Sequence, residues 1–328
     1  MRLKKTSTAA WVMCLVLVVT IGCVEPPQKE QRVFLTVDFQ PGRTLRYNFD
    51  SERKIVTDWT PDKNDPKGKK ESTESVQMVV AYEPLEVNPY GLTKIKAAFK
   101  SVKAEKTGTS GSQTDAVETL AGKSYTFTVG PDGKIHDYSE LVELLKETSK
   151  AAFGTGSAAS VKQPDLLDDV LATQWYLWDS VASIEKPTKG VKVGQTWKSH
   201  LLIPTSMVLR KGRDVTYQLA EIRQTERGPV AVINSTYALS DVKPEAPLPY
   251  EGSFRLAGTF GFFQAMFKGL SLISLEGTGQ ELFDVDAGRT EWYQQQYKAT
   301  LKPNASPLPG ANPIIYIDQK ITMQFIAQ

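Results

Sequence analysis

The sequence predicts a mainly β chain (α+β), with curved antiparallel sheets in two lobes and two covering helices. Three observations lead there. Period-2 hydrophobic runs recur along most of residues 33–328, separated by Gly, Pro, Asn and Asp turns. Helical spacing is confined to two stretches, about 138–152 and 165–183. A Gly-x-Thr turn ahead of an aromatic-bearing strand recurs at Gln40–Thr44, Lys192–Thr196 and Asp286–Thr290, with Pro131–Lys134 as a looser fourth copy. The recurrence suggests one β lobe before residue 190 and another after it.

The elements follow in order. Val33, Leu35, Val37 and Phe39 alternate as in a strand, and Leu45, Tyr47 and Phe49 continue the pattern after the Pro41-Gly42 turn. Ser75–Tyr82 and Leu92–Val102 read as two more strands. The polar stretch before them, with Lys63, Lys67, Lys69 and Lys70, reads as a solvated hairpin tip rather than an anion-binding patch. A strand over Leu120–Val129 turns at Gly130-Pro-Asp-Gly133 and returns through His136. Asp137 and Glu140, three apart, have the spacing of a capping box, with Leu141, Leu144 and Leu145 on one face of the helix that follows. The second helix carries Leu166, Leu167, Val170, Leu171, Trp175, Trp178 and Val181 on a broad apolar face and stops at Pro187 and Gly190. Further strands are expected at about 194–203, 213–225, 229–240, 252–261, 270–285, 289–301 and 313–327. Phe260–Phe267 is apolar on all sides and fits a strand continuation or a short helix.

Composition excludes several chemistries. Arg2, Lys4 and Lys5 are the only charged residues in positions 1–22, so their removal takes the net charge from +2 to −1. A near-neutral chain has no field to draw in nucleic acid. Both cysteines, Cys14 and Cys23, lie near the N-terminus, leaving residues 24–328 without a thiol for catalysis, metal binding or an internal disulfide. His136 and His200 are the only histidines, too few for a His-rich zinc site. No cofactor is implied.

The first 23 residues form an export signal: a basic head, an apolar run from Ala9 to Ile21 broken by Thr20, and a small-residue exit at Gly22. The apolar run is shorter than the ~20 residues of a membrane-spanning helix. Ile21-Gly22-Cys23 resembles the cleavage and lipidation site of bacterial lipoproteins, in which the cysteine thiol becomes a thioether to diacylglycerol. Thr20 departs from the Leu usual there. Unlipidated secretion and an uncleaved transmembrane anchor are the alternatives. Stable attachment takes two acyl chains, which palmitate-type diacylation of Cys23 supplies. The organisation expected is a signal peptide at 1–22, a lipidated polar tether at 23–32, an N-terminal β lobe with two helices at 33–190, and a C-terminal antiparallel β lobe at 191–328. With Val24 rather than Asp after the cysteine, the resemblance implies the periplasmic face of the outer membrane if the host envelope has two membranes.

Candidate site residues divide by type. Asp165, Asp168 and Asp169 could hold a cation, but acids at a helix N-terminus more simply complement its dipole. Ser199 and His200 are adjacent on a strand and therefore face opposite ways, so they do not pair as nucleophile and base; no G-x-S-x-G elbow occurs. Trp175 and Trp178 share a helix face and read chiefly as core. With Phe262, Phe263 and Phe267 they are also the candidate lining of an apolar ligand site.

Two stretches, Leu120–Lys134 and Lys189–Trp197, together with the hairpin Phe283–Arg289, resemble a family of uncharacterised bacterial envelope lipoproteins. Its members share an Asp-Gly-Lys hairpin, a leucine helix and a Val-x-x-Gly-x-Thr-Trp strand. The resemblance covers about residues 33–327 and implies no catalytic residues. Two functions are therefore open: a non-catalytic, membrane-anchored lipoprotein binding a lipid or other apolar ligand, and a scaffold engaging another envelope protein. A hydrolase is a distant third.

Overall fold

The chain forms one long sheet from two meanders and then has to cross its own face. The computed structural model describes residues 32–60, 68–107, 115–152, 166–202, 212–242, 269–305 and 312–327, excepting some helix side chains, Trp175's among them. Arg32–Val33 (β1) precedes a meander of Leu45–Asp58 (β2), Lys69–Val87 (β3), Thr93–Thr107 (β4), Ser124–Val129 (β5) and Ile135–Asp137 (β6). Helices Ser139–Ala152 (α1) and Leu167–Ala182 (α2) come next, then the short Val191–Lys192 (β7). The second meander comprises Thr196–Leu202 (β8), Gly212–Thr225 (β9), Gly228–Leu239 (β10), Leu270–Asp284 (β11), Arg289–Pro303 (β12) and Ile314–Phe325 (β13). Among the described residues, no helix is long and apolar enough to cross a membrane.

The sheet order is β6-β5-β4-β3-β2-β13-β12-β11-β10-β9-β8, antiparallel throughout, and β1 pairs with β7 in a separate two-stranded ribbon. The mainly β, antiparallel, two-helix architecture is the one the sequence predicts. The two meanders are sewn together along β2 and β13, whose pairing runs from Asp58–Ile314 to Tyr47–Phe325. Residues 32–328 accordingly form one compact unit. β6 and β8 are the two free edges, and the chain between them carries both helices.

The strands form because period-2 patterning puts one set of side chains inward. In β12, Tyr293, Gln295, Tyr297, Ala299 and Leu301 are buried while Lys298 and Lys302 are exposed. The sheet is curled. Arg213 on β9 hydrogen-bonds Gln295 on β12 across two intervening strands, a span of about 14 Å in a flat sheet at ~4.8 Å per strand. Two glycines on β11 make room for such reaches. A Cβ on Gly279 would sit 2.6 Å from both the Ser235 and the Tyr237 hydroxyls, and one on Gly277 would sit 2.6 Å from the Tyr297 Cβ. With no side chain there, Tyr237 of β10 extends over β11 to meet the Tyr293 hydroxyl of β12 at 2.9 Å.

Three local expectations are corrected. Val33–Phe39 pairs as a strand only at Arg32–Val33. Beyond that it is extended chain whose alternating burial comes from packing on the core, with Val37 N–H donating to Pro131 C=O and Asp38 N–H to Gly288 C=O, both at 2.9 Å. Leu120 ends a 3₁₀ turn over Ala116–Leu120, and the strand begins only at Ser124. The capping box is half made. Asp137 accepts from the Ser139 N–H at 3.0 Å, but the Glu140 carboxylate turns away to Thr126 on β5, taking its N–H at 2.7 Å and its hydroxyl at 2.6 Å. The helix start is thereby fastened to the sheet rather than to itself. The repeated turns do begin strands: Gly42, Gly194 and Gly288 all have positive φ, ahead of β2, β8 and β12. The strand expected at 252–261 and the apolar run Phe260–Phe267 lie outside the described residues, as do residues 1–31 and Asp165.

Overpacking a filled sheet face costs about 1–3 kcal/mol. Gly279→Ala is therefore expected to lower unfolding stability by that order in a denaturant titration, whereas Gly→Ala changes tolerated without loss at this position would contradict the crossing of Tyr237 over β11.

Candidate functional site

Because β6 and β8 lie at opposite ends of the sheet, α2 is laid along the concave face between them, and sheet side chains hold it from both sides. Toward the N-terminal meander, Tyr82 of β3 and Tyr125 of β5 both donate to the Gln174 side-chain oxygen at 2.7 Å. Toward the C-terminal meander, Tyr217 donates to Asp179 Oδ2 at 2.6 Å, Ser199 to Asp179 Oδ1 at 2.9 Å, Trp197 Nε1 to the Ser180 carbonyl at 2.8 Å, and Thr290 to the Leu177 carbonyl at 3.0 Å. Between these ties Trp178 packs against Phe39, Tyr82 and Phe127, with ring centroids 5.5–5.7 Å apart. Trp178 is thus a core residue, as its helical spacing with Trp175 suggests.

The inner face contains two buried charged clusters of different character. On the N-terminal side a cross-strand row runs Arg53–Glu74–Lys106 on β2, β3 and β4. Arg53 donates twice to Glu74 Oε2, at 2.6 and 3.0 Å, and Lys106 pairs with Asp115 at 2.8 Å. Burial alone would raise the Glu74 carboxyl, but the Arg53 and Lys106 charges hold it below its ordinary value. Charges alternate and each is answered, which marks this row as structural.

The C-terminal cluster is not closed in this way. Arg213 is fully buried. Its guanidinium carbon lies 4.2 Å from the Tyr176 ring centroid and 4.5 Å from that of Tyr237, and Nη1 donates to the Gln295 oxygen at 2.9 Å. Among the described residues, Nε and Nη2 have no hydrogen-bond partner, and neither has the amide nitrogen of Gln295. Around it, Ser235, Tyr237, Tyr293 and Gln295 form a chain of hydrogen bonds at 2.7–2.9 Å. Nearby acids do not supply the missing partner. Both oxygens of Asp179 are occupied by Ser199 and Tyr217. The Thr290 hydroxyl lies 2.6 Å from one Glu281 oxygen, sharing its single hydrogen between that carboxyl and the Leu177 carbonyl, and Ser180 also faces the Glu281 carboxyl. Burial raises the Asp179 carboxyl and pushes that of Glu281 up to about 7.

Of the residues singled out by sequence, Trp178 lies in the core against Phe39, Tyr82 and Phe127. The side chains of Trp175, Asp168 and Asp169 and the whole of Phe262, Phe263, Phe267 and Cys23 are outside what the structure describes. Ser199 and His200 do face opposite ways: Ser199 bonds Asp179 inside, while His200 Nδ1 meets Asp214 at 2.7 Å on the exposed side. Arg213 escaped the sequence reading. The available signal was its parity with Val215, Tyr217 and Leu219, which puts a charge in the inward set of β9.

No family model matches the chain, and no curated protein matches it. Among solved structures it is similar to lipovitellin, in a structure titled for lipid–protein interactions, at 11% identity and a TM-score of 0.46 over 88% of this chain. The chain spans about a quarter (26%) of that protein's length. A second likeness, to OpdQ of Pseudomonas aeruginosa, has 8% identity and a TM-score of 0.18, over 86% of this chain and 98% of that one. Likenesses of this size carry no functional information.

Glu281 gives the cluster a pH signature. In the unfolded chain its carboxyl titrates near 4.5, and in the fold near 7. Between those values the native protein keeps a proton that the unfolded chain releases, so the residue's cost to stability grows as pH rises through this window and is complete above it. Glu281→Gln should stabilise the protein at pH 8 by up to about 3 kcal/mol, with the gain vanishing toward pH 4.5. Equal gains at both pH values in chemical denaturation would contradict the burial of an ionisable carboxyl there.

Proposed function

We propose that this chain is a bacterial envelope lipoprotein, exported by residues 1–22, anchored through Cys23, and acting without catalysis to hold an apolar ligand on the concave side of its sheet. The observation that carries the ligand reading is the seating of α2. A curled eleven-stranded sheet with an aromatic inner face is spanned by one helix, and that helix is tied down by side-chain hydrogen bonds at both flanks. Such a helix bounds an interior on one side and leaves its ends to the sheet margins. The membrane anchor rests on the basic head, the short apolar run and Gly22-Cys23. In a two-membrane envelope, Val24 favours the periplasmic face of the outer membrane.

A second reading, a scaffold for another envelope protein, is favoured by one feature. Leu85, Val87 and Tyr90 are 48%, 39% and 85% exposed around the β3–β4 hairpin, an apolar tip that a partner could cover.

Native mass spectrometry of the full-length protein, extracted gently from its membranes, tests the ligand reading. It should show the lipidated chain plus one further lipid-sized mass that strong detergent removes. Its absence, together with cross-links from the β3–β4 hairpin to another envelope protein, would favour the scaffold. Anchoring has its own test: Cys23→Ser should move the protein from the membrane to the soluble fraction, and unchanged fractionation would remove the lipoprotein claim.

A further inference from the structure

We propose that Arg213 is the receptor of an anion site, taking the carboxylate or phosphate head of an amphiphile whose apolar body lies along the concave face. The inference rests on the apolar-ligand reading above and adds the chemistry of the head.

The argument starts from the two free nitrogens. Nε and Nη2 of a guanidinium lie on one edge, with parallel N–H bonds spaced to match two oxygens of a carboxylate or phosphate. In Arg213 both are without a hydrogen-bond partner among the described residues although the side chain is fully buried. Taking a charge out of water costs several kcal/mol even after relaxation, and buried donors in folded proteins are overwhelmingly paired. The Tyr176 and Tyr237 rings offset part of that cost through their faces, but rings over a guanidinium accept no hydrogen bond from its edge. Gln295 takes only Nη1, and its own amide N–H groups are a further unpaired donor in the same cluster.

No acid among the described residues completes the pair. Arg213 has no carboxylate at ion-pair distance among the described residues, whereas Arg53, Arg223 and Arg289 all do. Asp179 interacts with Arg213 through charge alone, its carboxylate accepting from Ser199 and Tyr217. The result is a bidentate donor edge and an amide donor in an interior of tyrosine, valine and leucine. An inorganic anion would leave the aromatic surroundings unused. An anionic amphiphile uses both.

The test compares ligands that differ only in the head. The delipidated full-length protein in amphipol is titrated calorimetrically at neutral pH with oleate, oleyl alcohol and a lysophosphatidate of the same chain. At least one anionic ligand should bind about tenfold or more tighter than the alcohol, the order expected of charge-assisted hydrogen bonds, and the tighter of the two names the head. Arg213→Gln should abolish this preference, bringing the anionic ligands to the affinity of the alcohol. Equal affinity for all three overturns the anion site but keeps the apolar-ligand reading. Binding of none overturns both. Because Arg213→Gln could fail to fold, the wild-type comparison of oleate with oleyl alcohol decides the matter alone.

Discussion

The rest of the structure depends on one topological constraint: the two free edges of the sheet, β6 and β8, are joined by a single stretch of chain. Two meanders sewn along β2 and β13 place the end of the first and the start of the second at opposite margins. The connection must therefore cross the sheet, and on the concave side it crosses as α2. A helix brought into an interior carries its own polar groups with it, and here the sheet answers several of them. Gln174 is met by two tyrosines, Asp179 by Tyr217 and Ser199, and two helix carbonyls by Trp197 and Thr290. Each tie is worth only about 0.5–1.5 kcal/mol net, but the larger effect is that none of those helix groups is left to bear the full cost of desolvation.

This constraint gives the short sequence motifs a common purpose. The turn in Leu120–Lys134 brings Gly133 against α2, where an added Cβ would lie 3.1 Å from the Trp178 carbonyl and 3.3 Å from its Cβ. The Val191–Trp197 motif ends in the tryptophan that bonds Ser180. The hairpin ending at Arg289 supplies Gly288, whose carbonyl holds Asp38, and is followed directly by Thr290, which bonds Leu177. Three separate motifs thus converge on α2 and on the extended segment beside it. They are fold-building residues, which is why they suggest an architecture and no chemistry.

Much of the fold was legible because it is local. Inward alternation marks β9, β10, β12 and β13, and the Pro-Asp-Gly and Ala-Gly turns fix where hairpins close. Leucine and tryptophan spacing marks the two helices. The β2–β13 seam was not legible, because it joins residues such as Ser51 and Gln319, 268 apart, and period-2 patterning specifies a face but not a partner. The alternation in Val33–Phe39 shows the same limit from the other side: it records burial against a core, with or without a ladder. The candidate site was hidden for a third reason. Arg53 and Arg213 stand in the inward parity of their strands, and a charge in a half-buried strand reads as a solvent position until its neighbours are known. One of the two then proves to be paired and the other does not.

The central claim is that the buried edge of Arg213 is built to be filled from outside the chain. The most direct measurement is a high-resolution crystal structure of the protein purified from its membranes without delipidation. The account predicts two non-protein oxygen atoms at hydrogen-bond distance from Nε and Nη2 of Arg213, continuous with apolar density along the concave face. Density for isolated waters at that edge, or a protein carboxylate occupying it, would contradict the account.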